Sequence, residues 1–135
     1  MSCIFCDIAA GRLSAEIVWR GEGALAFLDH RPLFPGHVLL IPDRHIMTLA
    51  DLPASETGQF FEAGQRLERA VTEAVGAEGS FIAINNRVSQ SVPHLHLHVV
   101  PRRKGDGLKG FFWPRHKYDS DEHMKEVAAK IRARL

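Results

Sequence analysis

Between two prolines, residues 93–101 read Pro-His-Leu-His-Leu-His-Val-Val-Pro. Imidazole and apolar side chains alternate with a period of two, the period of a β-strand. His94, His96 and His98 therefore share one face, and Leu95, Leu97 and Val99 share the other, where they can pack into a core. Three histidines on one face of an otherwise apolar strand are costly as filler, because each buried imidazole needs hydrogen-bond partners. The pattern thus points to a site built on a strand. Gathering all three rings on one metal ion is disfavoured. At the rise of an extended strand, His94 and His98 lie about 13 Å apart at Cα, and the outer rings would have to lean strongly inward. Dividing different tasks among the rings is easier.

The rest of the chain supplies the frame. With 135 residues, it is expected to form a single domain over 1–135, with a C-terminal extension from about residue 103. Hydrophobic residues make up 45% and charged residues 24%, an ordinary balance for a folded soluble chain, and the net charge of +1 argues against a globally basic nucleic-acid binder. No apolar run approaches the length needed to span a bilayer and no secretory leader is visible, so a cytoplasmic location without membrane attachment is expected.

Residues 4–10 read as a short helix stopped by Gly11. Residues 16–20 and 24–28 read as two strands joined by Gly21-Glu22-Gly23. His37 to Pro42 is a continuous apolar run with the look of a buried strand. Residues 53–75 form the longest helical pattern, bounded by Pro53 and Gly76, with Phe60, Ala63, Leu67, Ala70, Val71 and Ala74 expected to face the core. Residues 80–85 and 92–100 read as two further strands. Residues 119–135 read as a closing helix with Met124, Val127, Ala128 and Ile131 on its apolar side. The expected class is α+β, mainly a five-stranded antiparallel sheet with one long helix and a C-terminal helix.

The cysteines are Cys3 and Cys6, the only two in the chain. Two intervening residues make a poor structural staple, and a reducing compartment disfavours a disulfide. A redox pair is one reading, but the strand-then-helix setting of a thioredoxin-like site is missing. Cysteines at this spacing also often supply two ligands to zinc, which needs two more to close a tetrahedral site. Residues 102–110 are basic and flexible but lack the Gly-Lys-Ser/Thr of a phosphate-binding loop. They lead into Phe111-Phe112-Trp113-Pro114. That segment suits a dimer contact or a clasp on the core better than a grip on a ligand.

The stretch His94-Leu95-His96-Leu97-His98-Val99-Val100 resembles the His-φ-His-φ-His-φ-φ motif of the histidine triad (HIT) superfamily, where φ is apolar. Gln90-Ser91-Val92 is similar to the approach to that motif. Phe27-Leu28-Asp29, Pro35-Gly36-His37 and residues 42–45 are similar to the family's middle section, so the resemblance runs from Cys3 to about Arg102.

The resemblance implies a nucleotide hydrolase or transferase. His96 would attack the α-phosphorus of a purine nucleotide and form a nucleotidyl-histidine, which water then releases. His98 would donate to a phosphate oxygen, and His37 would orient the nucleophile. Ser91, Gln90 and Asn85 would contact the phosphate or the leaving group. Asp29 would accept from the ribose hydroxyls, and Ile4, Phe5, Ile8, Phe27 and Leu28 would enclose the base. His30 stands where an apolar residue is usual. In many bacterial members of the family a structural zinc is held by positions matching Cys3, Cys6, His45 and His94, so a structural zinc is expected there. A homodimer joining two sheets is also implied, with Phe60, Phe61 and Leu67 as contact residues. A Hint-like nucleoside phosphoramidase is the leading expectation. A Fhit-like dinucleoside polyphosphate hydrolase, a zinc-stabilised nucleotide-binding protein with little turnover and a simple metal-binding module are the alternatives.

Overall fold

The structure is a computed structural model that describes residues 2–108 and 115–135. Lys109 to Pro114, including the aromatic segment considered above, lie outside the described residues. The chain packs as two compact units, 1–104 and 105–135.

In the first unit, helix α1 (Ile4–Ala9) precedes strands β1 (Ile17–Gly21), β2 (Ala24–Leu28) and β3 (Val38–Pro42). A 3-10 turn, Leu49–Asp51, then leads into helix α2 (Ala54–Val75), followed by β4 (Gly79–Ala83) and β5 (Leu97–Arg102). The five strands form one antiparallel sheet in the order β1-β2-β3-β5-β4. The expected α+β architecture is therefore present. β5, the triad strand, lies between β3 and β4, so His98 faces Leu39 on one neighbour and Ala83 on the other.

Two apolar layers flank the sheet. Ala24, Ala26, Val38, Leu40, Leu95, Leu97 and Val99 join Phe60, Ala63, Leu67 and Val71 of α2 in the larger core. Leu25, Phe27, Leu39 and Ile41 turn the other way and pack with Phe5 and Ile8 of α1. Because β2 and β3 are covered on both faces, their sequences are continuous apolar runs rather than alternating ones. The triad segment, residues 94–99, alternates because one of its faces carries the histidines.

The helix lies close to this strand. A Cβ placed on Gly64 of α2 would come within 2.8 Å of the Leu97 side chain, so the absence of a side chain there permits the contact.

Several boundaries differ from the sequence reading. Ladder pairing in β5 starts only at Leu97, although Leu95 still faces the α2 core and its N–H donates to the Ile46 carbonyl. The alternation thus outlasts the ladder. β4 ends at Ala83, two residues before the predicted end. Ala70 and Ala74 are exposed, while Gly64 is buried. A methyl group contributes too little burial energy to fix which side of the stripe it occupies. Phe60 and Leu67 are consumed by the core and are not available for a contact between copies, whereas Phe61 remains exposed.

In the second unit, helix α3 (Asp121–Arg132) begins at Ser120, whose hydroxyl accepts from the His123 N–H. Asp121 and Glu122 in its first turn and Lys130 and Arg132 in its last complement the helix dipole. Met124 and Ile131 of the apolar stripe are exposed.

Candidate functional site

Each of the triad rings has one nitrogen tied down, and elementary donor–acceptor logic gives the other nitrogen its state. His96 Nδ1 lies 2.7 Å from the carbonyl oxygen of His94. A carbonyl only accepts, so Nδ1 is the donor, and in the neutral ring the lone pair lies on Nε2. His94 Nε2 lies 2.8 Å from the carbonyl of Pro42 and is likewise protonated, which leaves Nδ1 as the free ligand atom. His98 is set at one remove. The Leu33 N–H donates to His37 Nδ1 at 3.1 Å, so the proton of neutral His37 sits on Nε2. That Nε2 donates to His98 Nδ1 at 3.0 Å, so His98 in turn carries its proton on Nε2. His98 Nε2 is buried and has no protein partner among the described residues. It is an N–H donor awaiting an acceptor.

Burial keeps this chain neutral. It lowers His98 to about 4, with His96 and His37 adding to the effect and Asp29 opposing it. Burial also lowers His37, against the pull of Asp29, whose carboxylate is 3.8 Å from His37 Nε2. The expectation that His37 orients the nucleophile takes a different form here, because His37 holds His98 while the His94 carbonyl holds His96.

His96 and His98 line an open cavity of about 930 Å³. Ile4, Phe5, Ile8, Phe27, Leu28 and Asp29 line it too, as does Ser91. Ile4 and Leu28 are large apolar side chains left 49% and 38% exposed, which suits a wall meant to be covered by a flat apolar ligand. Asp29 Oδ1 accepts from the Arg31 N–H at 2.9 Å, which fixes the carboxylate at the rim.

Asn85 and Gln90 are not part of the wall. Gln90 is engaged in bracing the loop before the triad. Its amide accepts from the Arg87 N–H and donates to the Met47 carbonyl. Arg87 and Ser89 in this loop have positive φ values of 69° and 60°, a conformation such residues adopt only under constraint. Asn86, not Asn85, reaches across, accepting from the Leu49 N–H.

Sequence reasoning missed Leu13, Ser14, Glu16 and Arg31 as lining residues. Leu13 to Glu16 precede β1 without any periodic pattern. Arg31 could have been noticed as a cation two residues beyond the carboxylate.

Behind the triad, Cys3, Cys6, His45 and His94 bring their ligand atoms within 4.8 Å of one another. Cys3 Sγ and Cys6 Sγ are each 3.5 Å from His94 Nδ1, and Cys6 Sγ is 3.4 Å from His45 Nδ1. Two sulfurs and two imidazoles at such spacing are a tetrahedral zinc donor set. The His94 Nε2–H on the Pro42 carbonyl is the outer hydrogen bond that commonly orients a metal-bound imidazole. Desolvation and the facing Cys3 raise the Cys6 thiol, a cost that a dication between the sulfurs offsets. The residues present fit zinc.

Comparison with known proteins adds context. The sequence model of a family described as the HIT domain matches residues 10–105. A HIT-like protein of Mycobacterium tuberculosis is 42% identical over 110 residues, covering 80% of this chain and 76% of that protein. The adenosine 5'-monophosphoramidase of Schizosaccharomyces pombe is 31% identical, covering 100% and 99%. The asymmetrical bis(5'-nucleosyl)-tetraphosphatase of the same yeast is 34% identical, covering 70% of this chain and 53% of that enzyme. Among solved structures, a HIT family protein from Bacillus subtilis superposes with a TM-score of 0.91 at 33% identity, covering 100% and 98%. A zinc-bound histidine triad protein from Mycobacterium smegmatis gives 0.75 at 38% identity, covering 100% and 99%.

Proposed function

The chain belongs to the HIT domain family, and from that premise we propose that it is a nucleotide hydrolase acting at the α-phosphate of a purine nucleotide through His96. The observation that carries this reading is the His96 Nδ1–H held on the His94 carbonyl, which in the neutral ring puts the lone pair on Nε2, on a side chain that lines the cavity. Nε2 attacks the α-phosphorus, an N–P bond forms, and the bond from phosphorus to the leaving group breaks. The leaving group departs with the electron pair and takes up a proton. Water then cleaves the N–P bond and releases the mononucleotide and the imidazole. The His98 Nε2–H donates to a non-bridging oxygen as charge builds there. Ser91 sits on the leaving-group side, while Asp29 holds the ribose hydroxyls and the α1–β2 wall holds the base. Gln90 serves this site by shaping the loop that carries Ser91.

A phosphoramidate is the preferred substrate class. This reading is supported by the near end-to-end match with the yeast phosphoramidase, whereas the tetraphosphatase match spans only about half of that enzyme. Zinc at Cys3, Cys6, His45 and His94 would be structural, since four protein ligands leave no open position. The same reading includes a homodimer formed through β4, the last strand in the sheet order, where Ile82 is exposed among the described residues.

The test is turnover of adenosine 5'-phosphoramidate and of diadenosine tetraphosphate by the wild type and by His96→Ala. The expected result is faster cleavage of the phosphoramidate and a loss of at least about 10³-fold in the variant. Equal turnover by the variant would remove His96 from the chemistry. Absence of wild-type turnover on both substrates, with nucleotide still bound, would leave a binding protein.

A further inference from the structure

Helix α1 serves two sites at once. Its Cys6 and the preceding Cys3 face His45 and His94, while its Ile4, Phe5 and Ile8 form part of the cavity wall. A six-residue helix is far too short to hold its shape alone, because nucleation costs more than so few hydrogen bonds return. Its N-cap residue, Cys3, makes no side-chain capping hydrogen bond. Phe5 and Ile8 tie it to the sheet, but Ile4 is half exposed and the thiol–imidazole contacts of 3.4–3.5 Å are weak as neutral hydrogen bonds.

The connection continues inward. His94 offers Nδ1 to the cysteine side, and its carbonyl holds the nucleophile's Nδ1–H. The Phe5 ring stands edge-on to both His94 and His96, with centroids 5.9 and 5.1 Å away. One aromatic side chain therefore touches a metal-ligand candidate, the nucleophile and the cavity at once.

The geometry points to a thermodynamic linkage: zinc at Cys3, Cys6, His45 and His94 positions α1 as a wall of the nucleotide cavity, so that zinc and nucleotide each tighten the other's binding. This rests on the nucleotide reading of the cavity and adds a regulation to it. Phe5 and His94 act as positioning residues, since neither exchanges atoms with the substrate. Linkage is reciprocal, so the factor is the same in both directions, and a coupling of ordinary size is about tenfold.

The experiment titrates adenosine monophosphate into the zinc-loaded and zinc-stripped protein by calorimetry. It also measures zinc affinity by chelator competition with and without the nucleotide. Adenosine monophosphate is expected to bind about tenfold more weakly after stripping, and zinc about tenfold more tightly when the nucleotide is saturating. Cobalt-loaded protein gives a second readout that needs no stripped sample, because its visible bands are expected to shift on adding adenosine monophosphate. The Phe5→Leu variant is expected to bind both zinc and nucleotide with the coupling factor reduced towards one. A purely structural role for Phe5 would instead weaken both and leave their ratio unchanged. Equal nucleotide affinity with and without zinc, or an unshifted cobalt spectrum on saturation with nucleotide, overturns the linkage while leaving the nucleotide reading intact. Failure of adenosine monophosphate to bind the zinc-loaded protein overturns the nucleotide reading itself.

Discussion

His98 shows how much of this protein is decided by single atoms. Its Nε2 is buried without a protein partner among the described residues, and its proton is placed there by a chain that starts at the backbone N–H of Leu33. If that N–H serves the reacting phosphate, His98→Ala should lower kcat for adenosine 5'-phosphoramidate by about 10²-fold or more, the usual effect of removing one such donor. Steady-state kinetics on a folded variant checks this. The same burial makes a prediction about pH. The folded-state value of His98 is lowered to about 4, so between the ordinary histidine value of about 6.5 and 4 the unfolded chain binds a proton that the folded chain refuses. Stability therefore falls as pH drops through that window and is retained above it. His37 is shifted in the same direction and adds to the effect. Urea midpoints measured from pH 7 to pH 4.5 should decline, and less steeply in His98→Gln. A flat profile for the wild type would contradict the buried neutral relay.

Among the elements, α1 and the turn before β3 contribute more than their size suggests. Protein purified without chelator should carry about one equivalent of zinc per chain, and Cys6→Ala should lose most of it, as measured by elemental analysis. Gly36, just before His37, has φ of +100°, and a Cβ there would lie 3.0 Å from Val75. Gly36→Ala should destabilise the fold by about 1–3 kcal/mol, read as a lower denaturation midpoint, because the positive φ strains an added side chain and the Val75 methyl would have to give way slightly. The period-two reading of residues 93–101 placed the imidazoles and the apolar side chains on opposite faces, and the two cores follow that division. The ladder nevertheless starts at Leu97, because before it the backbone leaves the β3 ladder and the Leu95 N–H donates to Ile46 instead. Side-chain alternation reports burial on two faces, whereas ladder bonds require a neighbouring strand.

At the scale of the whole molecule, the sheet order leaves β1 and β4 as edges. The proposed dimer predicts a light-scattering mass of twice the 15.1 kDa chain, and Ile82→Lys on β4 should shift it towards the single-chain value. A single-chain mass for the wild type would remove the dimer from the proposal. No helix among the described residues is long and apolar enough to cross a membrane.

The sequence by itself determined the class of fold, the two-faced triad segment, the long helix and the set of side chains that can do chemistry. These depend on local periodicity and on residue type, and both are written in order along the chain. Only the tertiary structure decided which ring each partner holds. His37 and His98 are 61 positions apart, yet their rings meet at 3.0 Å. Cys3 and His94 are 91 apart and meet at 3.5 Å. The exposed alanines of α2, the brace made by Gln90 and the membership of Leu13 to Glu16 and Arg31 in the cavity wall were likewise invisible beforehand. Each depends on contacts between distant segments, and no local pattern encodes the direction in which a side chain meets a partner that the fold has yet to bring near.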